Sequence, residues 1–408
     1  MAKEKDSVLA SLAKRVERAK NEGDPTEFLT EGFESDFAII LGGCISFSDQ
    51  IPEIEQKRII KKVAYSTDLE RPVTRDSLIK ACKHYESLYL KRPLTTFRFL
   101  TEISLRFDLD VANVKVDDVY LTFNPKQIRA INERNKLLLR SKHSLNYDLP
   151  KGYMRLSAVI KARSTYEAAE KCLNSIDLLR ATWNLSINKG KIWRSFGSAT
   201  DPVNDIRLTP FHTLHLDNGL LATEEFWYEP GYISPAKIFY DKNKFKQIQN
   251  YSKKIRLKLS KLAYKKDIES ALVRYVRAFD SSDPNNTFLR LWSILEYLTA
   301  STELPSEVTI RRTAFLYTDR ETNVLILTNL ANYRNKFVHA GTESDDLESL
   351  VFQLKKYVEG LFQFHIGNNF KFNTRYEASD FMNLPYVKDE LHKKILRMQQ
   401  ALSFIADT

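Results

Sequence analysis

The chain has 408 residues, of which 43% are hydrophobic, and a formal net charge of +10. This length and composition indicate a globular protein of about two or three domains that can bury a large core. The longest apolar run, residues 37–47, is far shorter than the roughly 20 residues that span a bilayer, and we expect no signal peptide. Three separated cysteines without a C-x-x-C pair support neither a disulfide framework nor a zinc site, so we expect a cytoplasmic protein without membrane or metal partners.

Helical patterns dominate the first part of the chain, and strand signals are few before Val111. The apolar residues recur at helical spacing over residues 7–20, 53–64, 75–90 and 94–106. The sequence therefore predicts a small helical N-terminal region over residues 1–110.

Strand patterns replace the helical ones between residues 111 and 235. Residues 114–123 and 153–162 are typical of strands, and Asp217-Asn218-Gly219 predicts a tight hairpin. Between them, Ser164 and Glu167 have the spacing of a capping box at the start of a helix with one apolar face. We expect an α+β domain over residues 111–235, with the role of a sensor or regulator.

Two histidines of this region, His212 and His215, invite a metal interpretation. Residues three apart in a strand point to opposite faces, so one strand cannot present both rings to one ion. We interpret them as structural histidines. Gly42-Gly43 lies outside any phosphate-loop or dinucleotide-binding pattern, and the sequence predicts no cofactor.

The net charge is concentrated in a basic segment, residues 237–266. This segment contains eleven Lys or Arg against one acidic residue, so it carries as much net positive charge as the whole chain. Such a density of cations favours RNA backbone as a partner, and the candidate RNA-binding residues are Lys253, Lys254, Arg256, Lys258 and Lys261. Five aromatic residues are interleaved with the cations: Phe239, Tyr240, Phe245, Tyr251 and Tyr264. One alternative is that these rings stack on bases. The other is that they face the core, which the helical spacing of the apolar residues in the segment favours.

Helical patterns also fill the region from residue 268 to 364, and a last domain is predicted over residues 236–408. The first predicted helix covers residues 268–279, and four more cover residues 287–298, 306–318, 321–339 and 347–361. A Thr342-x-x-Asp345 capping box after Gly341 precedes the last one. Glu296 falls beside the apolar stripe of the second helix, as a solvated edge residue or as a partner for a cation. The predicted fold class is thus α+β, mostly α, with a C-terminal helical bundle.

One of these helices ends in Arg334-Asn335-Lys336-Phe337-Val338-His339. Cleaving RNA without a metal needs a group that transfers protons near neutral pH and a fixed cation for the developing phosphorane charge, which His and Arg supply. At about 100° per residue, Asn335 and His339 share a face one turn apart, whereas Arg334 and His339 diverge by about 140°. Asn335 can therefore orient the imidazole.

Arg334 must then either reach round the helix or serve a site shared with a second protomer. His339 lies where the helix carbonyls point outward, which favours its protonated form and suits a general acid. The alternative is an ordinary helix end with a basic residue and a partly exposed histidine.

Residues 268–364 resemble the Apea-like HEPN family, in which a helix of the form LW-x-x-LE-x-L precedes an R-N-x-x-x-H helix. Leu291–Leu298 and Arg334–His339 match both pieces in the right order. The resemblance implies a metal-independent RNA endonuclease, often a bacterial toxin or antiviral effector, that works as a homodimer with its two R-N-x-x-x-H helices facing each other. It also implies that Arg334 and His339 are catalytic, that Asn335 orients, and that Glu296 supports them. The family includes members without nuclease activity.

Two functions remain open. The first is an endoribonuclease of toxin or antiviral defence type that leaves 2′,3′-cyclic phosphate ends on cellular RNA, with tRNA among the candidates, when a phage-derived trigger acts or a cognate inhibitor is lost. The second is a non-catalytic RNA-binding or dimerisation module of a defence or toxin–antitoxin complex. The N-terminal two-thirds would serve recognition or restraint in the first case.

Overall fold

The computed structural model describes residues 2–21, 31–64, 72–106, 113–141, 150–192, 202–229, 232, 238–340 and 346–406. Within these residues the fold is α+β and mostly α, with fourteen helices and one six-stranded antiparallel sheet. The predicted fold class is confirmed. The division into domains at residues 110 and 235 stays a prediction.

Four helices near the N-terminus pack around a small apolar core of their own. They are α1 (Ala2–Asn21), α2 (Glu31–Cys44), α3 (Glu53–Ala64) and α4 (Arg75–Leu90). Val16, Leu41, Val63 and Leu78 are among the residues buried between them. The predicted helices over residues 53–64 and 75–90 coincide with α3 and α4, and residues 7–20 lie within α1.

The sheet follows, with strand order β2-β3-β4-β1-β5-β6. Its strands are β1 (Thr95–Ile103), β2 (Asn113–Val116), β3 (Val119–Phe123), β4 (Met154–Ala162), β5 (Phe211–Leu216) and β6 (Leu221–Tyr228). The helix predicted over residues 94–106 is wrong, because these residues form β1 between β4 and β5. Phe97, Phe99 and Ile103 are buried at strand spacing while Arg98 and Glu102 between them are only half-buried, and that two-residue period fits a strand better than a helix.

The strand pattern predicted over residues 114–123 is confirmed, and the structure divides it into two strands. Strands β2 and β3 pair antiparallel as a hairpin. Asp117 at the turn has a φ of 49°, a left-handed conformation that short polar residues tolerate. The hairpin predicted at Asp217-Asn218-Gly219 is also confirmed, since these residues join β5 to β6 and Gly219 has a φ of 85°.

Two helices accompany the sheet, α5 (Ile128–Arg140) and the long α6 (Thr165–Asn188). Ser164 caps α6 through its hydroxyl, which accepts a hydrogen bond from the backbone N–H of Glu167 at 3.1 Å, as predicted. Helix α6 packs on β4 and β1 and also against the helices that follow. It is therefore the element that joins the sheet to the C-terminal helices.

The C-terminal helices are α7 (Lys242–Leu259), α8 (Lys265–Phe279), α9 (Pro284–Leu298), α10 (Ser306–Ala314), α11 (Arg320–Ala340), α12 (Leu347–Gly367), α13 (Arg375–Met382) and α14 (Lys388–Ala406). The helices predicted between residues 268 and 361 are all present, although α10 ends four residues before its predicted end. Helix α9 packs against α8, α11 and α12. One apolar cluster runs from the sheet into this bundle, from Phe123 and Trp183 to Trp292 and Phe362. The predicted capping box at Thr342 and Asp345 lies outside the described residues.

Candidate functional site

The R-N-x-x-x-H residues occupy the last turns of α11, which ends at Ala340. Leu325, Asn332 and Lys336 are exposed on this helix. Successive residues turn by about 100°, so position 339 falls within about 60° of these three around the helix axis. The side chain of His339 lies outside the described residues.

Arg334 and Asn335 are both half-buried and hydrogen-bonded to each other. Nη1 of Arg334 donates to Oδ1 of Asn335 at 3.1 Å. Asn335 stands one turn before position 339 on the same face, so the bond holds the guanidinium beside a residue of that face. The choice between a site within one chain and a site shared with a second protomer stays a prediction.

Glu296 approaches this group from α9. Nε1 of Trp292, one turn earlier on α9, donates to Oε1 of Glu296 at 2.7 Å. Burial raises the pKa of the Glu296 carboxyl above its ordinary value, although the Trp292 hydrogen bond and the charge of Arg334 both act to lower it. Glu296 is therefore not a solvated edge residue; it is a half-buried carboxyl within the electrostatic range of Arg334.

Tyr333, next to the motif arginine, fixes α11 against the start of α9. Its hydroxyl donates to Oδ1 of Asn285 at 2.7 Å. Its ring meets Phe288 edge-on at 4.9 Å between centroids and stacks with Phe337 at 6.3 Å. These contacts fix where α11 packs along α9, and they thereby position Arg334 and Asn335 relative to α9.

The sequence interpretation assigned no role to Trp292 as a hydrogen-bond donor or to Tyr333. A signal for the first was available, because residues four apart on a helix are neighbours and an indole N–H is a ready donor to a carboxylate. None was available for the second, since Tyr333 and Asn285 are 48 positions apart.

The four lysines predicted to bind RNA are exposed, and among the described residues none of them has an ion pair. We call Lys253, Lys254, Lys258 and Lys261 the basic-segment lysines. Arg256 differs, because it is half-buried and Nη1 donates to the backbone carbonyl of Lys115 on the edge strand β2 at 3.4 Å. Burial lowers the pKa of Arg256. Its charge is less available to a partner than those of the lysines.

The interleaved aromatic residues face the core for the most part. Phe239, Phe245 and Tyr264 are buried, and Tyr251 packs partly buried against the same cluster. Tyr240 alone among these five is exposed, at 59%. Four of the five rings therefore pack against the core, as the helical spacing favoured. Tyr240 is the one ring of the five with an exposed surface for stacking.

His212 and His215 have separate partners. Nδ1 of His212 forms a hydrogen bond with Oγ1 of Thr101 at 2.7 Å, and Nε2 forms one with Oε1 of Glu229 at 3.2 Å. Nε2 of His215 bonds to Oγ1 of Thr213 at 2.9 Å. Within the described part of the chain, no group of three or more His, Cys, Asp or Glu is arranged to hold a metal ion.

The chain matches no protein-family model, no curated protein sequence and no solved structure. The described helices include none whose length and apolarity would let it cross a membrane.

Proposed function

We propose that the protein is a metal-independent endoribonuclease whose site is formed by α11 and α9. The observation that carries the proposal is the grouping of Arg334, Asn335 and a carboxyl of raised pKa, Glu296, close to the end of the helix that bears position 339. A fixed cation next to groups that can exchange protons is what phosphodiester cleavage by an internal nucleophile requires.

In this reaction a base removes the proton of a ribose 2′-hydroxyl, and the 2′-oxygen attacks the adjacent phosphorus. The bond from phosphorus to the 5′-oxygen breaks, and an acid protonates the leaving oxygen. The products are a 2′,3′-cyclic phosphate and a 5′-hydroxyl. Arg334 would stabilise the charge of the phosphorane, and His339 and Glu296 would supply the two proton transfers.

The basic segment supports RNA as the substrate. It ends near the same end of α9 as Glu296, because the hydroxyl of Tyr264 bonds to Nδ1 of His365 at 3.1 Å and Nε2 of His365 bonds to the carbonyl of Leu298 at 2.9 Å. Leu298 lies two residues after Glu296. An RNA strand held by the exposed basic-segment lysines would thus run close to the end of α9 that carries the candidate carboxyl.

Cleavage of RNA by the purified chain in EDTA tests the proposal. We expect products with 2′,3′-cyclic phosphate and 5′-hydroxyl ends, identified by mass spectrometry, and loss of most cleavage in Arg334→Ala and in His339→Ala. Matched controls are Arg397→Ala and His392→Ala on α14, where both side chains are exposed. Strict dependence on Mg²⁺, 5′-phosphate products, or near wild-type cleavage by a motif variant would contradict the assignment.

In the cell, we propose the role of a toxin or antiviral effector that acts on cellular RNA, tRNA among the candidates, as a homodimer under the control of a trigger or a cognate inhibitor. Growth after induction of the wild-type chain, compared with His339→Ala, tests this role. Sequencing of RNA ends in the same cultures identifies the substrate. Equal growth and identical RNA ends would contradict it.

The exposed basic-segment lysines favour a second candidate, a non-catalytic RNA-binding module, because they require no motif to hold RNA. RNA binding that is unchanged by Arg334→Ala and His339→Ala, without cleavage in any condition, would favour this second function.

A further inference from the structure

A cavity of about 540 Å³ lies between the sheet and the start of α9. Arg207, Glu229 and Tyr232 line it from the sheet side, and Arg277, Asp280 and Arg290 line it from the helices. Its volume is in the range of small-molecule sites, about 300–1,000 Å³. It adjoins the first half of α9, and its lining includes none of Arg334, Asn335 and Glu296.

The acidic groups of the cavity already have partners. Asp280 accepts a hydrogen bond from Nη2 of the buried Arg180 at 2.9 Å, and Oε1 of Glu229 is bonded to Nε2 of the buried His212 at 3.2 Å. Both carboxylates are therefore held by buried groups beside the cavity, and among the described residues neither forms an ion pair with Arg207 or Arg290.

Two of the three cavity arginines have no carboxylate partner among the described residues. Arg277 is paired, since its Nε donates to Oδ2 of Asp177 at 2.7 Å. Arg207 is only 6% exposed, and its guanidinium has no hydrogen bond or ion pair within the described residues; it lies over the ring of Tyr232 at 5.1 Å. The described hydrogen bond of the Arg290 side chain goes to the carbonyl of Arg277 at 3.3 Å. A guanidinium buried without an anion is costly, so this cavity is complementary to an anion.

The start of α9 adds to this complementarity. Arg290 and Asn286 both belong to the first two turns of the helix and both line the cavity. The amide of Asn286 and the hydroxyl of Ser281, which also lines the cavity, are suited to hydrogen-bond the hydroxyl groups of a ligand.

We propose that this cavity binds a small organic phosphomonoester, with the phosphate held by Arg207 and Arg290 and the hydroxyl-bearing part held by Asn286 and Ser281. The cavity, at about 540 Å³, has room for an organic group beyond the phosphate, and Asn286 and Ser281 are the lining side chains that can hydrogen-bond hydroxyl groups on it. The proposal does not depend on RNA cleavage.

Calorimetric titration of the full chain with ribose 5-phosphate, inorganic phosphate and ribose tests the site. We expect ribose 5-phosphate to bind, inorganic phosphate to bind more weakly, and ribose not to bind. Arg207→Met and Arg290→Met should each weaken ribose 5-phosphate binding by about tenfold or more, since each removes charge-assisted hydrogen bonds to phosphate. Arg129→Met, at an exposed arginine of α5, is the matched control and should bind like the wild type.

The two variants protect the test against misfolding. Arg207 is buried and its loss can disturb the fold, whereas Arg290 is exposed, so Arg290→Met keeps the test valid on its own. Absence of ribose 5-phosphate binding at millimolar concentration would overturn the proposal, as would equal affinity in Arg290→Met and in the control. Equal affinity for phosphate and ribose 5-phosphate would overturn the part assigned to Asn286 and Ser281.

Discussion

The burial of His365 predicts that the protein loses stability as the pH falls below neutral. His365 on α12 is fully buried between the basic segment and the end of α9. Because a carbonyl only accepts, Nε2 of His365 donates to Leu298 and Nδ1 accepts from the hydroxyl of Tyr264. The bond from Tyr264 requires a neutral ring, because a protonated Nδ1 cannot accept. Burial accordingly lowers the pKa of His365 from 6.5 to about 4.

The size and sign of the effect follow from this pKa. The unfolded chain binds a proton near pH 6.5 and the folded chain only near pH 4, so the stabilisation is complete above pH 6.5 and is lost as the pH falls toward about 4. One pKa unit is worth about 1.4 kcal/mol, so the full loss is about 3 kcal/mol, of which about 2 kcal/mol falls between pH 7.5 and pH 5. Burial also lowers the pKa of His215 to about 4, which predicts a second loss of similar size from β5.

Urea denaturation at several pH values measures these losses. His365→Gln retains one donor and one acceptor but cannot titrate in this range, so its free energy of unfolding should fall by about 2 kcal/mol less than that of the wild type between pH 7.5 and pH 5. His215→Gln serves as the matched control. It should remove the pH-dependent loss of stability that comes from His215 and leave the loss that comes from His365. Parallel curves for the wild type and His365→Gln, or an NMR titration of His365 with a midpoint near 6.5, would refute the reasoning.

Three further predictions concern the candidate site. Trp292→Phe removes the hydrogen-bond donor to Glu296, so the pKa of the Glu296 carboxyl should rise further. A ¹³C NMR titration measures this pKa, with the Glu296 signal assigned by its loss in Glu296→Gln. An unchanged midpoint in Trp292→Phe would contradict the prediction. Replacing the four basic-segment lysines with Gln should weaken the salt dependence of RNA binding without changing the bond that is cut. The slope of log affinity against log salt concentration should flatten by about 0.7 for each phosphate of single-stranded RNA that a lysine no longer neutralises. An unchanged slope would limit these lysines to a role in solubility. A mixture of Arg334→Ala and His339→Ala chains, allowed to exchange, should stay inactive because Arg334 bonds to Asn335 on its own helix; recovered cleavage would instead show a site shared between protomers.

The elements that the sequence predicted correctly are those whose signals are local. Helix α6 begins where Ser164 can cap it, and the β5–β6 hairpin turns where Gly219 can adopt a positive φ. Strand β1 was missed because its decisive partners are distant. Its residues pair with β4 from Thr95↔Ala162 to Ile103↔Met154 and with β5, and these pairings agree with the strand preference of its Thr, Phe and Ile residues.

The candidate site divides in the same way. Arg334, Asn335 and Glu296 could be placed on two helices from periodicity alone, and their chemistry followed from residue type. The raised pKa of Glu296 could not be predicted, because it depends on how deeply α9 is buried by its neighbours. The anion-complementary cavity was equally beyond the sequence, since Arg207 and Arg290 are far apart in the chain and neither belongs to a recognisable motif.

Helix α9 connects the cavity, the motif helix, Glu296 and the basic segment. Its 15 residues span about 22 Å at about 1.5 Å per residue. Its start meets both the cavity, through Asn286 and Arg290, and the motif helix, through the bond between Asn285 and Tyr333. Its end carries Glu296 and the His365 contact to the basic segment. A change at the start of α9 has its most direct path to Arg334 through Tyr333, the adjacent residue on α11, while a change at its end acts on Glu296 and on the basic segment together.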